Sequence, residues 1–157
     1  MLESGEIDAL FTAHIPPSAR KSPERVRRLF PDFEAIERDY FRRTGIFPIM
    51  HTVVIRRDVY ERNRWIARAL MDAFDEAKAL AMKAYTAGDV FFNAPSMVPW
   101  FASLREKNRA LMGDDFWPYG ITENRKVLET CLRYHREQGI LKHNYSIEQL
   151  FAPETLS

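Results

Sequence analysis

The chain of 157 residues holds one cysteine, six glycines and four histidines, and each shortage narrows its possible functions. Cys131 has no second thiol with which to close an internal disulfide, so the composition fits a reducing compartment and a cytoplasmic location is expected. The glycines form neither G-x-G-x-x-G nor G-x-x-x-x-G-K-S/T, which leaves kinase, ATPase and Rossmann functions unsupported. C-x-x-C, H-E-x-x-H, an EF-hand loop and G-x-S-x-G are missing as well, and His135 and His143 lie across a helix stop with no evident third ligand. Neither a metal nor an organic cofactor is expected.

An excess of one charge is also lacking. Lys plus Arg number 23 against 22 Asp plus Glu, a formal charge of +1, so the field that a dedicated nucleic-acid or anionic-membrane binder needs is not there. The longest low-charge stretch, residues 44–55, contains Gly45, Pro48 and His51 and falls short of the roughly 20 apolar residues of a membrane span. The opening residues, Met1 to Asp8, carry acid where an export signal carries base. No nucleic-acid partner and no membrane partner are expected.

What is present describes a globular chain: 46% hydrophobic and 13% aromatic residues, at a length that can bury roughly 68–70% of the unfolded surface. Residues 7–11 form a short apolar run before Pro16-Pro17 and read as a buried strand. So early a strand needs neighbours from elsewhere. Residues 18–28 carry Arg20, Lys21, Arg25, Arg27 and Arg28 around Pro23, the pattern of a solvated loop with a short helical turn, or of an arginine contact to phosphate or carboxylate. Phe33, Ile36, Tyr40 and Phe41 predict a helix over 33–43 with Asp32 as N-cap, Gly45 as stop and Glu34–Arg38 as an i,i+4 pair.

Thr52-Val53-Val54-Ile55 predicts a strand, central because both of its faces are apolar. Asp58 or Asn63 can cap the long helix that follows, whose stripe is Ile66, Leu70, Ala73, Ala77, Leu80 and Ala84. A further helix is expected from Ser96 and Pro99 through Leu111, stopped by Gly113. Thr122 starts another, with Val127, Leu128, Cys131, Leu132 and His135 facing inward and Gly139 as stop, which makes Cys131 a small core residue. Ser146-Ile147-Glu148-Gln149 is a capping box for a short last helix before Pro153. Two histidines fall outside the long helices. His14 follows the first expected strand and His51 opens the central one; ligands of open α/β sheets sit beyond the carboxyl ends of parallel strands, which favours the His14 loop. A hydrogen-bonded structural role is the alternative for both.

The block Thr-Gly-Ile-Phe-Pro-Ile-Met-His-Thr-Val-Val-Ile-Arg over 44–56 resembles the 4,5-dihydroxyphthalate decarboxylase family. Val-Arg-Arg-Leu-Phe-Pro-Asp at 26–32, Phe-Trp-Pro-Tyr-Gly-Ile at 116–121 and Phe-Ala-Pro-Glu-Thr-Leu at 151–156 extend the resemblance in the family's order. It implies an α/β architecture of the type II periplasmic-binding-protein-like kind, two lobes around a ligand, in a chain near twice this length. This sequence would be its C-terminal half, helix-rich with few strands. Residues 1–17 would end the second lobe, 18–50 would be the connecting segment, helix and return crossing, and 51–157 would complete the first lobe.

The resemblance further implies an aromatic-acid decarboxylase that needs no cofactor, releases CO2 from 4,5-dihydroxyphthalate to give 3,4-dihydroxybenzoate, and is inactive or incomplete as this piece. Each ring carboxylate of that substrate is para to a hydroxyl, so a base, an acid and a cation suffice. His51 and His14 are the candidate acid or base, since imidazole ordinarily titrates near neutrality. Arg20 is the candidate carboxylate anchor and Phe47 a second substrate-binding residue. Arg56 is less suited, because five residues along a strand from His51 is about 16 Å. The expected partner is a small aromatic dicarboxylate, and an open strand edge predicts pairing with another copy of the chain. The competing class is a solute-binding protein of an ABC transporter, which has the same architecture, and a fragment without activity is the third.

Overall fold

Starts and stops written in the sequence account for most of the helices. The computed structural model describes residues 1–86 and 97–156, in two units, Met1–Gly45 and Ile46–Ser157. In the first unit, α1 (Pro17–Lys21) begins directly after an extended Pro16, since proline's fixed φ suits the first helical position and its missing N–H loses nothing there. The Ser22 hydroxyl donates to Glu3 Oε1 at 2.6 Å and ties the N-terminus to the end of this turn. α2 (Phe33–Thr44) follows Asp32 and stops at Gly45, whose φ of 65° is left-handed and whose N–H donates to the Phe41 carbonyl at 2.7 Å. Gly45 is where the missing Cβ matters, because that conformation strains other residues. The expected Glu34–Arg38 pair forms at 2.9 Å, with Asp39–Arg43 beside it at 2.8 Å.

The second unit opens with a segment without regular secondary structure, 46–56, followed by α3 (Arg57–Arg62), α4 (Trp65–Thr86), α5 (Phe101–Met112), α6 (Ile121–Glu137), α7 (Ile147–Leu150) and a 3-10 turn (Pro153–Thr155). Asp58 lies in the first turn of α3, and Asn63 donates from its side chain to the Val59 carbonyl at 3.2 Å, closing α3 instead of capping α4. The expected start at Ser96 lies outside the described residues; α5 begins at Phe101, after Trp100 with φ of 64°. α6 begins one residue before the expected Thr122. The capping box of α7 is formed, with Ser146 N–H donating to Gln149 Oε1 at 2.9 Å.

The α/β expectation is overturned: the architecture is helical and no strand occurs among the described residues. Residues 7–11 lie in a bend and irregular chain, with Phe11 wholly exposed at 105%. Residues 52–55 run without regular structure, and Val54 is 87% exposed. A strand is a cooperative element whose ladder bonds come from its neighbour, so β-branched residues cannot become one alone. The type II periplasmic-binding-protein-like layout implied by the resemblance falls with the sheet.

The buried apolar side chains among the described residues are Val26, Ile46, Ala67, Ile121 and Ile147, none of them aromatic. On α4 the covered positions are Ile66, which belongs to the expected stripe, and Ala67, Met71, Lys78, Met82 and Tyr85, which do not; Leu70 and Leu80 stay exposed. The helix is apolar on two neighbouring faces, and the chain covers one of them. On α6, Val127, Leu128, Leu132 and His135 are half-buried as expected, whereas Cys131 is exposed. Cys131 is one turn before His135, whose Nδ1–H donates to the Cys131 carbonyl at 2.8 Å.

Ile147, at 2% exposure, is the most deeply buried of these five residues. Ile147→Ala is expected to cost about 2–5 kcal/mol, the range for emptying a buried isoleucine site. A lower urea midpoint followed by helical circular dichroism checks it, and a midpoint unchanged from wild type would mean that α7 is not part of the core.

Candidate functional site

In the first unit, α1 brings two of the expected site residues to one place. Positions three and four apart share a helix face, so Pro17, Arg20 and Lys21 stand on one side of the turn. The loop before them adds His14 and Ile15, and these five residues line an open hollow. His14 N–H donates to Thr12 Oγ1 at 3.2 Å, which shapes the loop and leaves the imidazole to the hollow. His14, Arg20 and Lys21 are exposed. Among the described residues no acidic side chain lies within ion-pair distance of Arg20 or Lys21, whereas Arg38 and Arg43 of the same unit are paired. The hollow therefore combines an imidazole, two unneutralised cations and an apolar wall of Ile15 and Pro17. That set can attract an anion, grip a carboxylate and exchange a proton. Sequence reasoning missed Lys21 as a member; the signal was its i,i+4 spacing from Pro17.

His51 and Phe47 lie in the segment 46–56 of the second unit. That segment has no regular secondary structure, and neither residue lines the hollow of the first unit. His51 is exposed, and Phe47 meets Trp117 edge-on with ring centroids 5.4 Å apart. Two of the blocks that carry the family resemblance touch there. The rest of the 116–121 block is bound into the same unit. Phe116 packs at 5.5 Å from Tyr85, the Tyr119 ring takes the Lys78 ammonium at 5.1 Å, and Asn124 Nδ2 donates to the carbonyls of Pro118 and Gly120 at 2.9 and 2.8 Å. A Cβ on Gly120 would meet Met71 Cε at 3.2 Å, a close approach that keeps this turn against α4. Arg56, judged less suited from its spacing, pairs with Asp58.

Two clasps hold the C-terminal segment of the second unit. The Tyr60 hydroxyl donates to Glu154 Oε2 at 2.7 Å. That hydrogen bond is the main cause holding the Glu154 carboxyl below its usual range and pushing the Tyr60 phenol above its own. Arg125 Nη2 donates to Glu148 Oε1 at 2.9 Å. The Glu148 carboxyl is held below its usual range first by its own backbone N–H and then by Arg125. Both clasps position elements. Among the described residues no group of three or more His, Cys, Asp or Glu side chains is placed to hold a metal ion, and no helix is long and apolar enough to cross a membrane.

No protein-family model matches the chain. It is 30% identical over 156 residues to the 4,5-dihydroxyphthalate decarboxylase of Comamonas testosteroni, an alignment that covers 99% of this chain and 46% of that protein. The chain thus spans about half the length of the curated relative it matches. A distant, decarboxylase-like relationship is supported.

The Tyr60–Glu154 clasp has a defined pH window. A lowered carboxyl contributes stability above the ordinary carboxylate range, lost as pH falls through the folded value; a raised phenol contributes below the ordinary phenol range, lost as pH rises through its folded value. Tyr60→Phe is expected to lower the urea midpoint at pH 7, and the gap to wild type is expected to close as pH falls from about 5 to 3. A gap of the same size at pH 3 would show that the hydroxyl acts through something other than the Glu154 carboxylate.

Proposed function

We propose that the chain is part of an aromatic-acid decarboxylase that takes 4,5-dihydroxyphthalate to 3,4-dihydroxybenzoate and CO2. The observation that carries the reading is the convergence of His14 and Arg20 on one hollow, in a chain aligned over nearly its full length with a protein of that name. Arg20 grips the carboxylate that stays on the ring. A base withdraws a phenolic proton, and the oxygen para to the departing carboxylate pushes electron density through the ring. An acid delivers a proton to the ring carbon that bears this carboxylate, the carbon–carbon bond to the carboxylate then breaks, and its electron pair restores the aromatic ring as CO2 leaves. One proton replaces one CO2, so no electron acceptor is required. His14 supplies one of the two proton-transfer groups, and His51 remains the proposed second.

Ultraviolet detection of 3,4-dihydroxybenzoate formed from 4,5-dihydroxyphthalate tests the proposal, with circular dichroism as the folding control. The expected outcome is slow conversion, below the roughly 1–10³ s⁻¹ of typical enzymes, because the chain spans about half of its relative. His14→Ala is expected to lower that conversion by 10²-fold or more, the usual loss of a general acid or base. Binding with no conversion would favour a ligand-binding module, and conversion unaffected by His14→Ala would remove His14 from the chemistry.

A further inference from the structure

The hollow holds one more cation than a single carboxylate needs. Arg20 and Lys21 are consecutive, so their side chains leave the helix about 100° apart, and both line the hollow together with Ile15, Pro17 and His14. Two like charges side by side repel, and among the described residues no carboxylate relieves them. A ligand with two negative groups on one rigid apolar frame fits this arrangement. A bare oxyanion would leave Ile15 and Pro17 uncovered, and a singly charged ring would leave one cation unmet.

We propose that Lys21 is the second anion anchor of this hollow. Arg20 and Lys21 each take one carboxylate of a ring that carries two on neighbouring carbons, and the ring face rests on Ile15 and Pro17. This rests on reading the hollow as the substrate site. Its consequence concerns release: loss of CO2 removes the group that Lys21 holds, so the singly charged product is gripped at one point where the substrate was gripped at two. Lys21 is thus a specificity residue that separates substrate from product by charge.

Isothermal titration calorimetry at low salt, with phthalate, benzoate and inorganic phosphate as probes, tests it on the folded chain, and ring-proton NMR shifts of His14 locate the binding. Phthalate is expected to bind at least about fivefold more tightly than benzoate, the factor of one unit-charge contact at about 4 Å in water. Lys21→Gln is expected to bring phthalate down to the benzoate level while benzoate itself stays within twofold, and Lys21→Arg is expected to keep the preference. Equal weakening of phthalate and benzoate by Lys21→Gln would overturn the inference, reducing Lys21 to a contributor of general charge. Phosphate binding as tightly as phthalate would overturn it too, leaving an oxyanion patch. If Arg20→Gln weakens phthalate and Lys21→Gln does not, the anchor role of Lys21 fails while the hollow stands as the site. If phthalate shifts no His14 resonance in the wild-type chain, the reading of the hollow fails and this inference with it.

Discussion

The second unit hangs on residues 146–156. α7 lies against α6 through the Arg125–Glu148 ion pair, and the 3-10 turn that follows lies against α4 and its preceding helix through the hydrogen bond from Tyr60 to Glu154. A segment this short has almost no stability of its own. It holds because Ile147 is buried and because each flanking carboxylate has a dedicated donor. In return, it gives α4 and α6 a common support that neither finds in its own sequence.

The economy of the core explains which parts of the architecture could be read in advance. A helix stop such as Gly45, or a reciprocal cap such as Ser146 with Gln149, is decided within four or five residues, and both formed as expected. The strands at 7–11 and 52–55 depend on partners that local sequence cannot supply, and neither formed. α4 falls between these cases. Its existence is local, but the face it covers is chosen by what reaches it, and the turn at Gly120 reaches Met71 instead of the expected stripe. The exposure of Cys131 has the same origin, since the side of α6 that is covered depends on its neighbours.

The candidate site was legible in proportion to how local it is. His14 and Arg20 fall within seven residues, and a proline-started turn is enough to bring them to one hollow. Lys21 escaped notice because a charge run reads as solvation until its spacing is placed on a helix face. Phe47 was singled out for substrate and is found with its ring edge against Trp117, a contact between segments seventy residues apart that no local pattern announces. Cations without carboxylate neighbours mark the hollow more clearly than the histidine does.

Residues 47–54 are exposed throughout, and this would limit how copies of the chain could meet there. Side-by-side stacking in register would put each Arg56 over the next, and Pro48 would break the backbone ladder in every layer. Antiparallel pairing centred between Val53 and Val54 would set Arg56 across from His51 and Ile55 across from Thr52, keeping the arginines apart. Were copies to pair along this stretch, the arginine that follows its β-branched run would oppose open fibres and admit closed pairs.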